Sequence, residues 1–197
     1  MRLVTDLKGR KIGFALCGSF CTFSKAFEQL ERLIEMGAEV TAIMSFNAAY
    51  IDTRFGKSQE HIERLEKLTG KRVLRTIAET EPVGPKKMFD ALVIAPCTGN
   101  TMAKLAVGII DTPVTMAAKS HLRNGSPLVI ALSTNDGLAG SAKNIGALLN
   151  YRYVYFVPFA QDDPEAKPRS LAADFGLLPE AIASALDGKQ LQPVINL

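Results

Sequence analysis

Four short stretches of this chain concentrate hydroxyls, amides and small residues where chemistry is easy to do. They are "CGSFCTF" from Cys17, "SFNAAY" from Ser45, "PCTGNT" from Pro96 and "STNDG" from Ser133. Each follows a short apolar run. Serine and threonine hydroxyls, with the free N–H groups of a helix start, are donors for phosphate oxygens. The chemistry suggested is therefore anion binding, on the scale of one phosphate. The dinucleotide pattern G-x-G-x-x-G is absent, since Gly13 lies inside an apolar run and Gly18 stands alone. The second apolar run ends in Ser45, not in the acid that would hold an NAD ribose, and there is no P-loop. A mononucleotide suits this pattern better than NAD or ATP. One such loop would be explained by helix capping alone; four in phase point to a ligand site.

The elements that carry these loops alternate. Ile12–Leu16, Val40–Met44, Ala91–Ala95, Leu128–Leu132 and Tyr153–Val157 read as short buried strands. Between them run helical patterns. One rests on Phe23, Phe27, Leu30 and Ile34 and closes at Gly37. Another, "KSQEHIERLEKLTG", is amphipathic on Ile62, Leu65 and Leu68. A helix over about 100–107 and a second opening at Thr112–Pro113 follow the third strand. Ser141 is expected to cap the next helix, and Pro179–Leu186 to close the chain. Val73–Ile77 reads as a short extra strand, and 161–169 as a loop. Strands alternating with helices predict βαβ units, hence an α/β fold: a three-layer, doubly wound parallel sheet of the Rossmann-like kind. Such sheets bind ligands beyond the carboxyl ends of their strands, where the four loops must lie. One domain is expected over 1–197, with a C-terminal loop and helix region from about 159.

Composition narrows the classes. The chain has 197 residues, 47% hydrophobic and 22% charged, with net charge +3. That balance gives no electrostatic case for nucleic acid. The N-terminal charges (Arg2, Asp6, Lys8, Arg10, Lys11) and the shortness of the first apolar run argue against a signal core or membrane span. Cys17, Cys21 and Cys97 are an odd set without redox or zinc spacing, and read as reduced, buried, inert thiols of a cytoplasmic protein. No metal site is expected. The two histidines, His61 and His121, read as surface or helix-end residues.

The stretches "GSFCTFSKAFEQLERLIEMGAEV", "APCTGNTMAKLAVGIIDTP" and "STNDGLAGSAKNIGALL" resemble the flavoprotein family that includes FMN-dependent cysteine decarboxylases and flavin prenyltransferases. The resemblance runs over about residues 8–158. It implies FMN as cofactor, with Gly18, Ser19 and Phe20 seating its phosphate and ribityl chain, helped by Ser45 or Asn47. Pro96, Cys97, Thr98, Asn100 and Thr101 would flank the flavin, and Asn135 would hold substrate as the catalytic candidate. Two departures matter. The decarboxylases carry a His ahead of the third strand, where this chain has "TEPVGPKKMFD"; and their Pro-x-Met-Asn motif reads Leu132-Ser133-Thr134-Asn135 here. Cysteine decarboxylation is therefore not implied.

Within the family, "SFNAAYIDTRFG", "NDGLAGSAKNIG" and "VPFAQDDPEAKPRSL" are most similar to a two-subunit oxidoreductase of spore-forming bacteria. That likeness implies a nucleotide-binding A subunit as partner, carrying NAD or NADP. It also implies a small dicarboxylate substrate, aromatised by loss of two hydrogens, and a trimer-based homo-oligomer contacting through 100–111. Arg54, Lys143, Lys167 and Arg169 are the loop cations for such a substrate; Asp162 and Asp163 read as turn formers or subunit contacts. The alternatives are a stand-alone FMN decarboxylase or transferase, and a flavin-binding protein without catalysis.

Overall fold

The run "KIGFAL" (Lys11–Leu16) is strand β1, buried on both faces from Ile12 onward. In a computed structural model, which describes residues 6–196, β1 is flanked by β2 (Glu39–Met44) and β3 (Ala91–Cys97). Arg2, one of the N-terminal charges, lies outside the described residues. Strand β4 (Leu128–Thr134) pairs with β3, and β5 (Val154–Phe156) with the first half of β4. The parallel order is thus 2-1-3-4-5. A near-continuous apolar reading is what a parallel sheet covered on both faces demands.

Among the described residues, eight helices surround it: α1 (Phe23–Glu35), α2 (Phe46–Tyr50), α3 (Ser58–Thr69), α4 (Ile77–Thr80), α5 (Gly99–Val107), α6 (Pro113–Leu122), α7 (Ala142–Leu149) and α8 (Leu178–Leu186). Helix α1 packs on α8, while α6 packs on α4 and α5, and α5 on α7. Phe14, Leu16, Phe27, Leu30 and Ile43 are sealed between the layers, each contributing about 1.5–3 kcal/mol of apolar burial. The expected three-layer α/β sandwich is the fold observed.

Three local differences have physical causes. Val73–Ile77 is not a strand: only Leu74 bridges Ile43, with its N–H donating to Ala42 O. Glu79 then accepts the N–H groups of Arg75 and Thr76 at 2.8 and 3.0 Å, and Thr76 Oγ1 accepts that of Glu79. This reciprocal cap draws the backbone into α4. The sheet is mixed, because β7 (Leu171–Ala173) pairs antiparallel with the end of β4 at Ser133 and Thr134, and β6 (Phe159–Ala160) pairs antiparallel with β7, with the 161–169 segment between them. Strands of two and three residues are too short to show a period. Ser141 precedes α7 but does not cap it; its hydroxyl donates to Asp136 Oδ1 at 2.8 Å instead.

Strand β3 ends in a register shift between Ile94 and Cys97, at the cis bond Ala95–Pro96. Proline has no N–H to give a central ladder, so a bulge is where it is tolerated. The bulge releases the chain upward into Thr98 and α5.

Candidate functional site

The carboxyl ends of β1, β2 and β3 open into a cleft of about 380 Å³. This is the switch point of a 2-1-3-4-5 sheet, where the chain runs outward in opposite directions from β1 and β3. Gly18, Ser45, Asn47, Thr98, Asn100 and Thr101, expected from sequence, all line it. A side chain at Gly18 would stand 3.4 Å from Asn47 Cβ and narrow the cradle.

The hydroxyls do not all offer the same thing. Ser45 Oγ accepts the N–H of Ala48 at 3.3 Å as the cap of α2, so its own proton remains to donate. Thr98 Oγ1 accepts the N–H of Thr101 and donates to Thr101 Oγ1, which donates to Cys17 Sγ at 3.2 Å. Helix capping and ligand binding therefore coexist here. The amides of Asn47 and Asn100 are exposed and have no side-chain partner among the described residues.

Other expected residues stand behind or beside the cleft. Ser19 Oγ pairs with Ser133 Oγ at 2.9 Å and receives the Thr22 hydroxyl, tying the β1 loop to the end of β4. Phe20 is half-buried, its ring 5.3 Å from that of Phe23. Pro96 and Cys97 are sealed in β3 and turn no surface to the cleft. Asn135 is exposed on the turn after β4, with Oδ1 accepting a long hydrogen bond from Ser170 Oγ, 3.4 Å.

Phe46, Lys104, Asp111 and Thr112 complete the walls and are not among the cofactor residues the resemblance implies. Lys104 lies one helical turn after Asn100, a spacing that puts both on one face. Its ammonium holds both oxygens of Asp111, at 2.7 and 2.8 Å. Among the described residues lining the cleft these are the ionisable side chains, and each neutralises the other.

Burial raises the Cys17 thiol to about 11, against the opposing hydrogen bonds of Thr101 and Thr98; burial, then the neighbouring Cys17, pushes Cys97 well above the ordinary thiol value. Both stay protonated near neutrality and are not nucleophiles. Cys21 is exposed, against expectation, because it sits on the outer side of the one-turn 3₁₀ helix Phe20–Thr22. His121 ends α6 as expected but is buried, not superficial. His61 is half-buried in the first turn of α3, its ring 5.1 Å from Phe23 and 5.8 Å from Phe27. Of the expected substrate cations, Lys167 faces Asp162 at 3.7 Å, Arg54 lies over Phe55, Arg169 is exposed, and Lys143 opens onto a second cleft between α5 and α7.

Residues 2–171 match the family model described as Flavoprotein. The chain is 45% identical, over 192 residues covering 98% of it and 96% of the relative, to the B subunit of dipicolinate synthase from Bacillus subtilis. The crystal structure of the B subunit of dipicolinate synthase from Bacillus halodurans superposes with a TM-score of 0.89, at 43% identity, over 98% of each chain. A structure of AnUbiX in complex with FMN and dimethylallyl pyrophosphate superposes with a TM-score of 0.60 at 18% identity, over 77% of this chain and 78% of that one, which is a likeness of fold.

Proposed function

This chain belongs to the flavoprotein family, and on that footing we propose that it works as the flavoprotein subunit of a dipicolinate synthase. It acts with a nucleotide-binding A subunit that carries NAD or NADP, and together they oxidise a dihydrodipicolinate to dipicolinate. The observation that carries this reading is the likeness to the B subunits of that enzyme over nearly the whole of both chains. It extends past residue 171, where the match to the family model ends.

FMN fits the donor set of the switch-point cleft. Gly18 leaves room for it, the Ser45 hydroxyl and the Asn47 amide would donate to its phosphate and ribityl oxygens, and Thr98, Asn100 and Thr101 would flank its ring system. When bound, FMN supplies a two-electron acceptor. The protein's own part is to position a flat substrate and to keep the cleft's fixed charge near zero, which the Lys104–Asp111 pair does. With Asp111 engaged by Lys104, the described residues of the cleft offer no free carboxylate as base, which favours a second subunit completing the reaction. Asn135, exposed on the turn after β4, is taken as the residue that meets substrate on that side.

Val107 and Ile109, 68% and 47% exposed where α5 turns toward α6, favour assembly of several copies through this segment. Val107→Asp is then expected to lower the mass measured by light scattering.

The test is the ultraviolet absorbance of dipicolinate formed by each subunit alone and by the mixture, with NAD or NADP. Product is expected from the mixture only, and Asn135→Ala should reduce it without unfolding the chain. Full activity from the A subunit alone would overturn the reading. Decarboxylation of a cysteinyl substrate by this chain alone would move it to the stand-alone enzymes.

A further inference from the structure

The second cleft lies beyond the ends of β3 and β4, encloses about 430 Å³ and shares Asn100 with the first. Asn144 is 8% exposed, lines this cleft, and its side-chain amide has no hydrogen-bond partner among the described residues. Unlike the sealed orphan atoms of Gln29, His61 and Glu180, that amide opens onto the cleft. An amide that opens onto a cleft with no partner in the chain is free to bond a ligand or water.

What surrounds Asn144 specifies an anion. Lys143, beside it, is exposed and makes no ion pair among the described residues. The first turns of α5 and α7 both face the cleft, at Gly99–Asn100 and at Lys143–Asn144. Ser141, at the cap position of α7, gives its hydroxyl to Asp136 and leaves that helix start without a side-chain cap. Helix starts carry positive partial charge, although at α7 the N–H groups of Ala142 and Asn144 already donate to Ala139 O and Ser141 O.

Among the described residues, one opposing charge lines the cleft: the Asp136 carboxylate, which the hydroxyls of Thr134 and Ser141 hold ionised, so Lys143 balances it rather than standing alone. Asp136 Oδ1 accepts the hydroxyls of Thr134 and Ser141. Its Oδ2 stands over Gly140, where an added Cβ would lie 3.2 Å away. The same crowding fixes Gly99: a Cβ there would meet Ser141 Oγ at 2.6 Å and Thr134 Oγ1 at 2.8 Å, so the start of α5 approaches this network only as glycine.

We propose that the α5–α7 cleft is a carboxylate-binding subsite, in which the Asn144 amide and the Lys143 ammonium receive one carboxylate of a small planar dicarboxylate. The identity of the ligand rests on the function proposed above; the anion site itself does not. Asn100, which lines both clefts, then borders both the substrate and the flavin position. An amide N–H₂ and an ammonium suit the flat two-oxygen edge of a carboxylate, while a phosphate is better served by the hydroxyl-rich first cleft.

Isothermal titration of the full chain with pyridine-2,6-dicarboxylate, and separately with inorganic phosphate, tests this in the parent, Lys143→Gln, Lys143→Arg and Asn144→Asp. Asn144→Asp is isosteric, and circular dichroism checks that it folds. The parent is expected to bind the dicarboxylate. Lys143→Gln should weaken binding about tenfold, the order of one charge-assisted hydrogen bond, Lys143→Arg should restore most of it, and Asn144→Asp should abolish it. FMN affinity should stay within about twofold throughout, since neither residue lines the first cleft. Unchanged dicarboxylate affinity in Lys143→Gln and Asn144→Asp, no binding by the parent at millimolar concentration, or a Lys143-dependent preference for phosphate overturns the assignment. If binding depends on Lys143 as expected but the two-subunit mixture makes no dipicolinate, the proposed function fails and the subsite stands. If the mixture is active and its KM is indifferent to Lys143 and Asn144, the subsite fails and the function stands.

Discussion

The two edges of the sheet are built from similar polar residues to opposite effect. At the amino edge the polar groups close on one another. Lys11 N–H donates to Asp90 Oδ2 at 2.8 Å, and Asp90 N–H returns to Lys11 O at 2.7 Å. The His121 Nε2–H donates to Pro127 O at 3.0 Å, and the Asn124 amide to Gly84 O at 2.6 Å. At the carboxyl edge the Ser45 proton and the amides of Asn47, Asn100 and Asn144 are left unspent. A polar residue whose bonds are complete holds the fold; one held by its backbone with its donor free is available to a ligand. Substitutions at the two edges should therefore separate stability from binding.

The largest expected effect is at the amino edge. A Cβ at Gly84 would overlap the backbone oxygen of Ser120, which cannot move without α6. Gly84→Ala should lower unfolding free energy by about 2–4 kcal/mol in urea titrations, with FMN affinity of the folded fraction unchanged. A loss below about 0.5 kcal/mol would show that this edge is not the rigid one.

Ser45→Asp comes next, at the carboxyl edge. Aspartate caps a helix as well as serine does, so α2 should persist. Its charge, however, replaces a donor with an anion. FMN affinity, followed by flavin fluorescence, should fall about 100-fold, since a like charge in a site opposes binding by several kcal/mol, while the melting temperature stays nearly constant. Parent-like FMN affinity would remove Ser45 from the phosphate seat.

The third contrast is in pH. Burial, opposed by the Pro127 hydrogen bond and Asp90, lowers His121 from 6.5 to about 4. The folded state keeps this ring neutral while the unfolded chain takes up a proton near 6.5. The unfolded state then binds more protons, so stability is full above about pH 6.5 and falls as pH drops toward 4, by about 2–3 kcal/mol. His121→Asn should flatten that slope in melts taken across this range. A slope equal to the parent's would assign the acid sensitivity to other groups.

The smallest effect is at the cleft wall. The Lys104–Asp111 pair is short, but Asp111 is 56% exposed. Asp111→Asn should change stability by less than about 1 kcal/mol. It should tighten binding of anions in the first cleft by freeing the ammonium, an effect that shrinks in added salt. Unchanged anion affinity at low salt would mean that Lys104 does not reach the ligand.

Much of this was legible in the chain because it is local. Thr112 and Pro113 open α6, and Ile12–Leu16 reads as buried strand, all within a few residues of sequence. The four hydroxyl and amide loops were legible as a set, since a parallel sheet brings every strand's carboxyl end to one edge. What the sequence could not give is which polar groups are already satisfied. Ser19 and Ser133 are far apart in the chain, yet their hydroxyls meet at 2.9 Å. Ser141 turns back to Asp136 rather than capping α7. His121 is buried by the turn that brings Pro127 to it. Spacing along the chain determined where the donors stand; only the packing of α5 against α7 and of α6 against the sheet decided which donors are used up and which remain, because hydrogen-bond partners are chosen by distance in space and not by separation in sequence.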